Sequence, residues 1–153
     1  MDRREGDGGR GDQVTRIGMI WGGIGGVIGF IVSLFGSFAG IVAAIFVGLS
    51  CGRRAGAAGE PNSGAMSGLK SGALAAPLFA MGAAAGAVVA AQQIGSSEIA
   101  ATLSEVLNVE VSNDEAWNLY LIGTAVAAVI QVSLLIGVSA AAAAWVARKR
   151  PSS

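Results

Sequence analysis

The stretch from Ile17 to Gly52 reads IGMIWGGIGGVIGFIVSLFGSFAGIVAAIFVGLSCG: 36 residues without a charged side chain, studded with glycine. One straight helix over it would run about 54 Å at 1.5 Å per residue, against a hydrocarbon core of roughly 30 Å. Two helices joined by a tight turn fit a bilayer better. Serine and glycine cluster at Ser33-Leu34-Phe35-Gly36-Ser37, which places the turn there. The arms, 17–33 and 37–51, then hold 17 and 15 residues, at or below the short limit for a spanning helix.

The whole composition points the same way. The chain has 153 residues, the size of one domain, with 53% hydrophobic residues and 13% charged ones. The apolar excess lies in long uncharged runs, which is the membrane signature. Net charge is zero, so nothing draws the chain toward nucleic acid. Histidine is absent and Cys51 is the single cysteine, which removes the commonest general base, the commonest metal ligand and any intrachain disulfide. No enzyme, cofactor site or metal site is expected.

Residues 1–16 carry four arginines, four acids and four glycines, and read as a disordered tail before a single membrane domain, 17–150. Residues 53–71 form a polar connection in which Glu60-Pro61-Asn62-Ser63-Gly64 is a turn signal. A third apolar stretch, 72–93, holds ten alanines and three glycines within 72–91, a thin coat suited to the middle of a bundle. Pro77 falls near its expected start, where a missing N–H is best tolerated. Between the third and fourth stretches lies an acidic segment, 94–116. There Ile99, Leu103, Val106 and Leu107 recur at helical spacing, predicting a short amphipathic helix. Ser112 and Glu115 are spaced as a capping box opening the last apolar run, which crosses at about 117–143.

Charge sets the expected topology. All ten basic residues fall in the N-terminal tail, in 53–71, or at Arg148-Lys149-Arg150. Residues 94–117 hold five acids and no base. The positive-inside rule puts both termini and 53–71 in the cytoplasm of a cell-membrane protein, with 94–116 outside. That requires an even number of crossings before residue 53 and independently supports the hairpin. The expectation is an all-α integral membrane protein: a four-helix transmembrane bundle with an N-terminal helical hairpin and a short external amphipathic helix. Trp21, Arg53, Arg54, Trp145, Arg148, Lys149 and Arg150 would anchor the inner interface, Trp117 and Tyr120 the outer one. A three-crossing chain with its N-terminus outside is the competing topology.

Glycines recur every fourth residue: Gly18, Gly22 and Gly26; Gly25 and Gly29; Gly36 and Gly40; Gly48, Gly52 and Gly56; Gly82 and Gly86. Such spacing lines one helix face with backbone and lets a neighbour approach closely. The faces serve packing within the chain or homo-oligomerisation. They do not serve phosphate: a dinucleotide loop starting at Gly23 and Gly25 would need glycine where Ile28 stands, and Leu69 occupies the P-loop's glycine position before Lys70. No charged residue interrupts the apolar stretches, which argues against coupled transport and proton relays. Gln131, mid-helix, is expected to hydrogen-bond a neighbouring helix, and Cys51 to be a small interfacial residue beside the lipid-attracting Arg53-Arg54.

The run Gly48-Leu49-Ser50-Cys51-Gly52-Arg53-Arg54-Ala55-Gly56, followed by Gly64, Gly68 and Gly72, resembles a pattern in small uncharacterised prokaryotic glycine-rich four-helix membrane proteins. There a hairpin ends in a G-x-x-x-G-R-like turn before a glycine-spaced helix. The resemblance covers about residues 40–75, implies topology only, and has no counterpart for the acidic 94–116 segment. The sequence thus reads as a non-enzymatic membrane protein. It would act in packing or assembly through glycine-faced helices, with the lipid bilayer, a homo-oligomer or a membrane-protein partner as its contacts. The alternative is an oligomeric pore, holin-like or a small channel, for which Thr124, Gln131 and Ser133 are thin material.

The topology is open to a direct check. A Phe35→Cys variant shown to be inserted should react with a membrane-impermeant thiol reagent added outside intact cells. Absence of labelling would contradict an outward hairpin tip.

Overall fold

The computed structural model describes residues 5–59 and 63–149. Among them the chain is all-helical: α1 (Glu5–Ser33), α2 (Ser37–Ala58), α3 (Gly64–Ile94), α4 (Ser96–Leu107) and α5 (Asn113–Arg148). Four of these, α4 excepted, are long and apolar enough to cross a membrane. Arg3, Arg4, Arg150 and the Glu60-Pro61-Asn62 part of the expected turn lie outside the described residues.

Each long helix exceeds the expected crossing. The apolar spans Gly11–Ser33 and Phe38–Ala58 hold 23 and 21 residues, so the hairpin arms each reach about 30 Å or more. Asp12 and Arg16 stand inside the first span and Arg53 and Arg54 inside the second, so the helices are longer than the expected crossings while their uncharged parts are not. α1 is already helical from Glu5, where the composition predicted a disordered tail through residue 16. Adding turns to a helix already packed elsewhere avoids the nucleation cost, and buried Val14 ties the polar turns to the core. α2 runs on through Arg53 and Arg54 to Ala58, and α3 begins at Gly64, eight residues before the expected 72. Pro77 therefore lies inside α3, where it deprives the Ala73 carbonyl of its usual donor.

The α1–α2 turn falls at 34–36, where the Leu34, Phe35 and Gly36 N–H groups donate to Ile31, Val32 and Ser33 carbonyls at 2.9–3.3 Å. Gly36 has φ +101°, a left-handed conformation that disfavours a side chain. α5 opens with the expected capping box. The Ser112 hydroxyl accepts from the Glu115 N–H at 3.3 Å, and the Ser112 N–H donates to the Glu115 carboxylate at 3.0 Å.

Packing inverts the soluble pattern. α1 packs most extensively on α3 and α2 on α5, with α3 also against α2, α4 and α5. The core consists of Ala43, Ala44, Val47, Cys51, Ala75, Ala76, Phe79, Ala83 and Leu135. Phe38, Met81 and Val129 face outward at 79%, 69% and 66% exposure. Small residues inside and large apolar ones outside suit a surround that is itself apolar. α4 docks by Ile99, Ala100 and Leu103 against Ala91, Ala116, Trp117 and Tyr120. Its predicted stripe is only half used, since Val106 and Leu107 are 74% and 51% exposed. The helix has about three turns, and the last finds no apolar partner.

Ser112→Ala removes the side-chain cap of the longest helix. We expect a loss of about 1 kcal/mol in detergent-solubilised thermal unfolding; no change would show that the box does not hold the start of α5.

Candidate functional site

Helix directions follow from which residues meet. A Cβ built on Gly18 would lie 2.9 Å from the Ser71 carbonyl oxygen, one on Gly22 3.0 Å from Ala75 Cα, and one on Gly26 2.8 Å from the Leu78 oxygen. The numbers rise together, so α1 and α3 run parallel. Further along, Gly82 abuts the Gly26 carbonyl and Gly86 abuts that of Phe30. Gly29 completes this seam, where a Cβ would lie 3.0 Å from the Phe79 oxygen, and a Cβ on Gly25 would lie 3.0 Å from Val47 of α2.

The second parallel seam joins α2 to α5. A Cβ on Gly48 would lie 2.7 Å from the Leu135 carbonyl oxygen and one on Gly56 2.6 Å from that of Ala143, while Gly52 abuts that of Ser139. Gly40 abuts the Gln131 side-chain amide, so the absent side chain on α2 makes the space that the buried Gln131 occupies. α3 joins the same junction antiparallel to α5, with Gly64, Gly68 and Gly72 against Ala147, Ala143 and Ser139. One predicted contact glycine is corrected: a Cβ on Gly36 would meet nothing within 4 Å, because it serves the turn.

The α2–α3–α5 junction is polar at its centre. Buried Ser139 donates to the Gly68 carbonyl at 2.8 Å, Ser71 donates to the same carbonyl at 3.1 Å, and the two hydroxyls lie 3.5 Å apart. Cys51 is fully buried beside them, so its thiol faces the helix junction and not the surface. The sequence reading missed Ser71. The signal was present as Ser67 and Ser71 interleaved with Gly64, Gly68 and Gly72, facing Ser139, Ala143 and Ala147 at the same interval.

Charge collects at the two ends. Arg16, Arg53, Arg54, Lys70, Arg148 and Lys149 are exposed at the end where Gly18, Ser71, Gly52 and Ser139 meet. There Arg54 lies over the Trp21 ring at 5.3 Å and Lys149 over Trp145 at 3.8 Å. Asp12 shares this end. The other end, where α3, α4 and α5 converge, holds Glu98, Glu105, Glu110, Asp114 and Glu115, all exposed. Trp117 and Tyr120 stack there with centroids 6.1 Å apart, and the Tyr120 hydroxyl donates to the Ala87 carbonyl at 2.8 Å.

At that end a cavity of about 350 Å³ opens between α1, the turn, α3 and α5, bounded by Ser33, Ala87, Tyr120, Thr124, Ala128 and Gln131 among others. Ser133, exposed on α5, spends its hydroxyl on the Val129 carbonyl at 2.8 Å. Among the described residues no group of three or more His, Cys, Asp or Glu side chains could hold a metal. No known family model, curated protein or solved structure matches the chain. The geometry alone therefore carries the functional reading.

The glycines divide into two sets that substitution should separate. Gly82→Ala puts a methyl against the Gly26 carbonyl and should cost about 1–3 kcal/mol in thermal unfolding. Gly137→Ala, with open space around it, should be neutral or stabilising by up to about 1 kcal/mol. Equal effects at both positions would refute the close-contact account.

Proposed function

We propose that the chain is a multi-pass integral membrane protein with a non-enzymatic role. Both termini and the 53–71 connection lie in the cytoplasm, with the acidic segment bearing α4 outside. The observation that carries this reading is the charge segregation: the basic belt and the acidic cap stand at opposite ends of four apolar helices. A bilayer with anionic inner-leaflet lipid favours that orientation by roughly 1 kcal/mol for each basic residue near its surface.

The role in packing or assembly is supported in a specific form. The glycine faces of α1, α2 and α3 meet this chain's own helices, so they hold the bundle together and are not free for a second chain. What is left for a partner is the outer surface. α5 is the least buried of the four spans and the most apolar, with Ser133, Gly137 and Ala141 at four-residue intervals on an open face. Contact with a partner in the membrane would use that face.

Vesicles reconstituted with the purified protein should stay tight to small dyes at every protein ratio, whereas release rising with protein content would establish the pore instead. In parallel, Gly22→Leu with Gly26→Leu should lower the melting temperature of the monomer itself. A stable monomer that merely loses a larger species in native mass measurement would move the glycine face to an oligomer interface.

A further inference from the structure

Two cavities adjoin at the acidic end, sharing Ile94, Tyr120 and Thr124 in their walls. The deeper one, about 350 Å³, has six alanines in its wall, with Gln131 beside them. The outer one, about 550 Å³, lies between α4 and α5, with Glu98 and Thr102 on its wall. Tyr120 and Gln131, both on the wall of the deeper cavity, are eleven residues apart on α5, so that wall runs about 16 Å along the helix. A wall of that length, apolar over most of its lining, matches an extended alkyl chain.

Charge selects the class of occupant. Among the described residues Glu98 is the one charged side chain lining either cavity, and it stands at the open side. Glu105, Glu110, Asp114 and Glu115 surround the same end. The chain has no Lys or Arg between Lys70 and Arg148, nor from Ile17 to Gly52, so no cation of its own competes there. An anionic amphiphile would meet repulsion alone. Tyr120, whose ring is held by its bond to Ala87 and its stacking on Trp117, offers an aromatic face of the kind that attracts ammonium groups.

We propose that the two adjoining cavities together form a binding site for a cationic amphiphile, an alkylamine or quaternary ammonium. Its tail lies along the alanine-bearing wall toward Gln131, and its head stops between Glu98 and Tyr120. The site rests on the membrane reading above, because the tail enters from the bilayer. Gly123 lies on the wall of the outer cavity, and a Cβ there would touch nothing within 4 Å. A large side chain at that position would start in open space at the wall and narrow the entrance.

The test uses the full chain in phosphatidylcholine vesicles, with Trp21→Phe and Trp145→Phe so that Trp117 alone reports. The probe is a spin-labelled alkyltrimethylammonium that quenches tryptophan. Quenching should saturate, whereas phosphatidylcholine carrying the same label should quench in proportion to its concentration. Glu98→Gln should weaken the cationic probe about fivefold, and Glu105→Gln, which removes the same charge away from the cavities, should change it by less than about twofold. Gly123→Leu should abolish the saturable part. Unsaturable quenching, or equal losses in the two glutamine variants, would reduce the effect to partitioning and surface charge and overturn the site. Carbonate extraction of each variant separates the two readings. An inserted protein that fails to bind counts against the site alone, and a protein washed off the membrane counts against both.

Discussion

Helices surrounded by lipid gain little from burying apolar area against one another, so they must gain from contact itself. Everything in this fold follows from how closely its backbones approach. Gly82 sits where any side chain would meet the Gly26 carbonyl, and Gly52 and Gly68 both press on the Ser139 carbonyl. Dispersion between closely packed atoms is small per pair and large in sum, and it falls steeply with a gap of half an ångström. The interior is therefore built from Gly, Ala and Ser. Phe79 and Leu135 are the largest side chains buried completely.

Close approach has a corollary for polar groups. Where α2, α3 and α5 meet, the hydroxyls of Ser71 and Ser139 converge on the Gly68 carbonyl. Buried between helices, those groups have no water to turn to, so they are satisfied across and within the helices. Gln131 follows the same logic by different means, filling the gap that Gly40 leaves. These polar residues lie within the contact surfaces between helices, where they add specificity to seams that shape alone would leave ambiguous.

The cavities arise where the seams run out. α1 ends at Ser33, and its last close contacts with α3 are Phe30 and Ser33 against Gly86. α3 continues to Ile94, roughly 12 Å further, and α5 starts at Asn113 beside it. The N-terminal hairpin is thus shorter than the C-terminal pair at the acidic end, and beyond Gly86 the end of α1 and the turn leave a cavity against the α3 alanines. α4 folds back over only part of that surface. Charge gathers at the same end because Glu98 and its neighbours belong to the segment linking α3 to α5.

The sequence by itself determined the helical class, the division of Ile17–Gly52 at Ser33–Ser37, the capping box at Ser112 and the segregation of basic from acidic ends. Each is written locally, in the length of an apolar run, a turn residue, a three-residue spacing or the sign of a loop. Only the tertiary structure decided that α1 lies along α3 and α2 along α5. It also decided that Cys51 is buried, that Val106 is left exposed, and that Gly36 turns while Gly123 and Gly137 face open space. Glycine spaced by four looks the same on every helix. Which face meets which depends on the fit between surfaces far apart in the chain, down to one carbonyl oxygen, and no one-dimensional pattern records that fit.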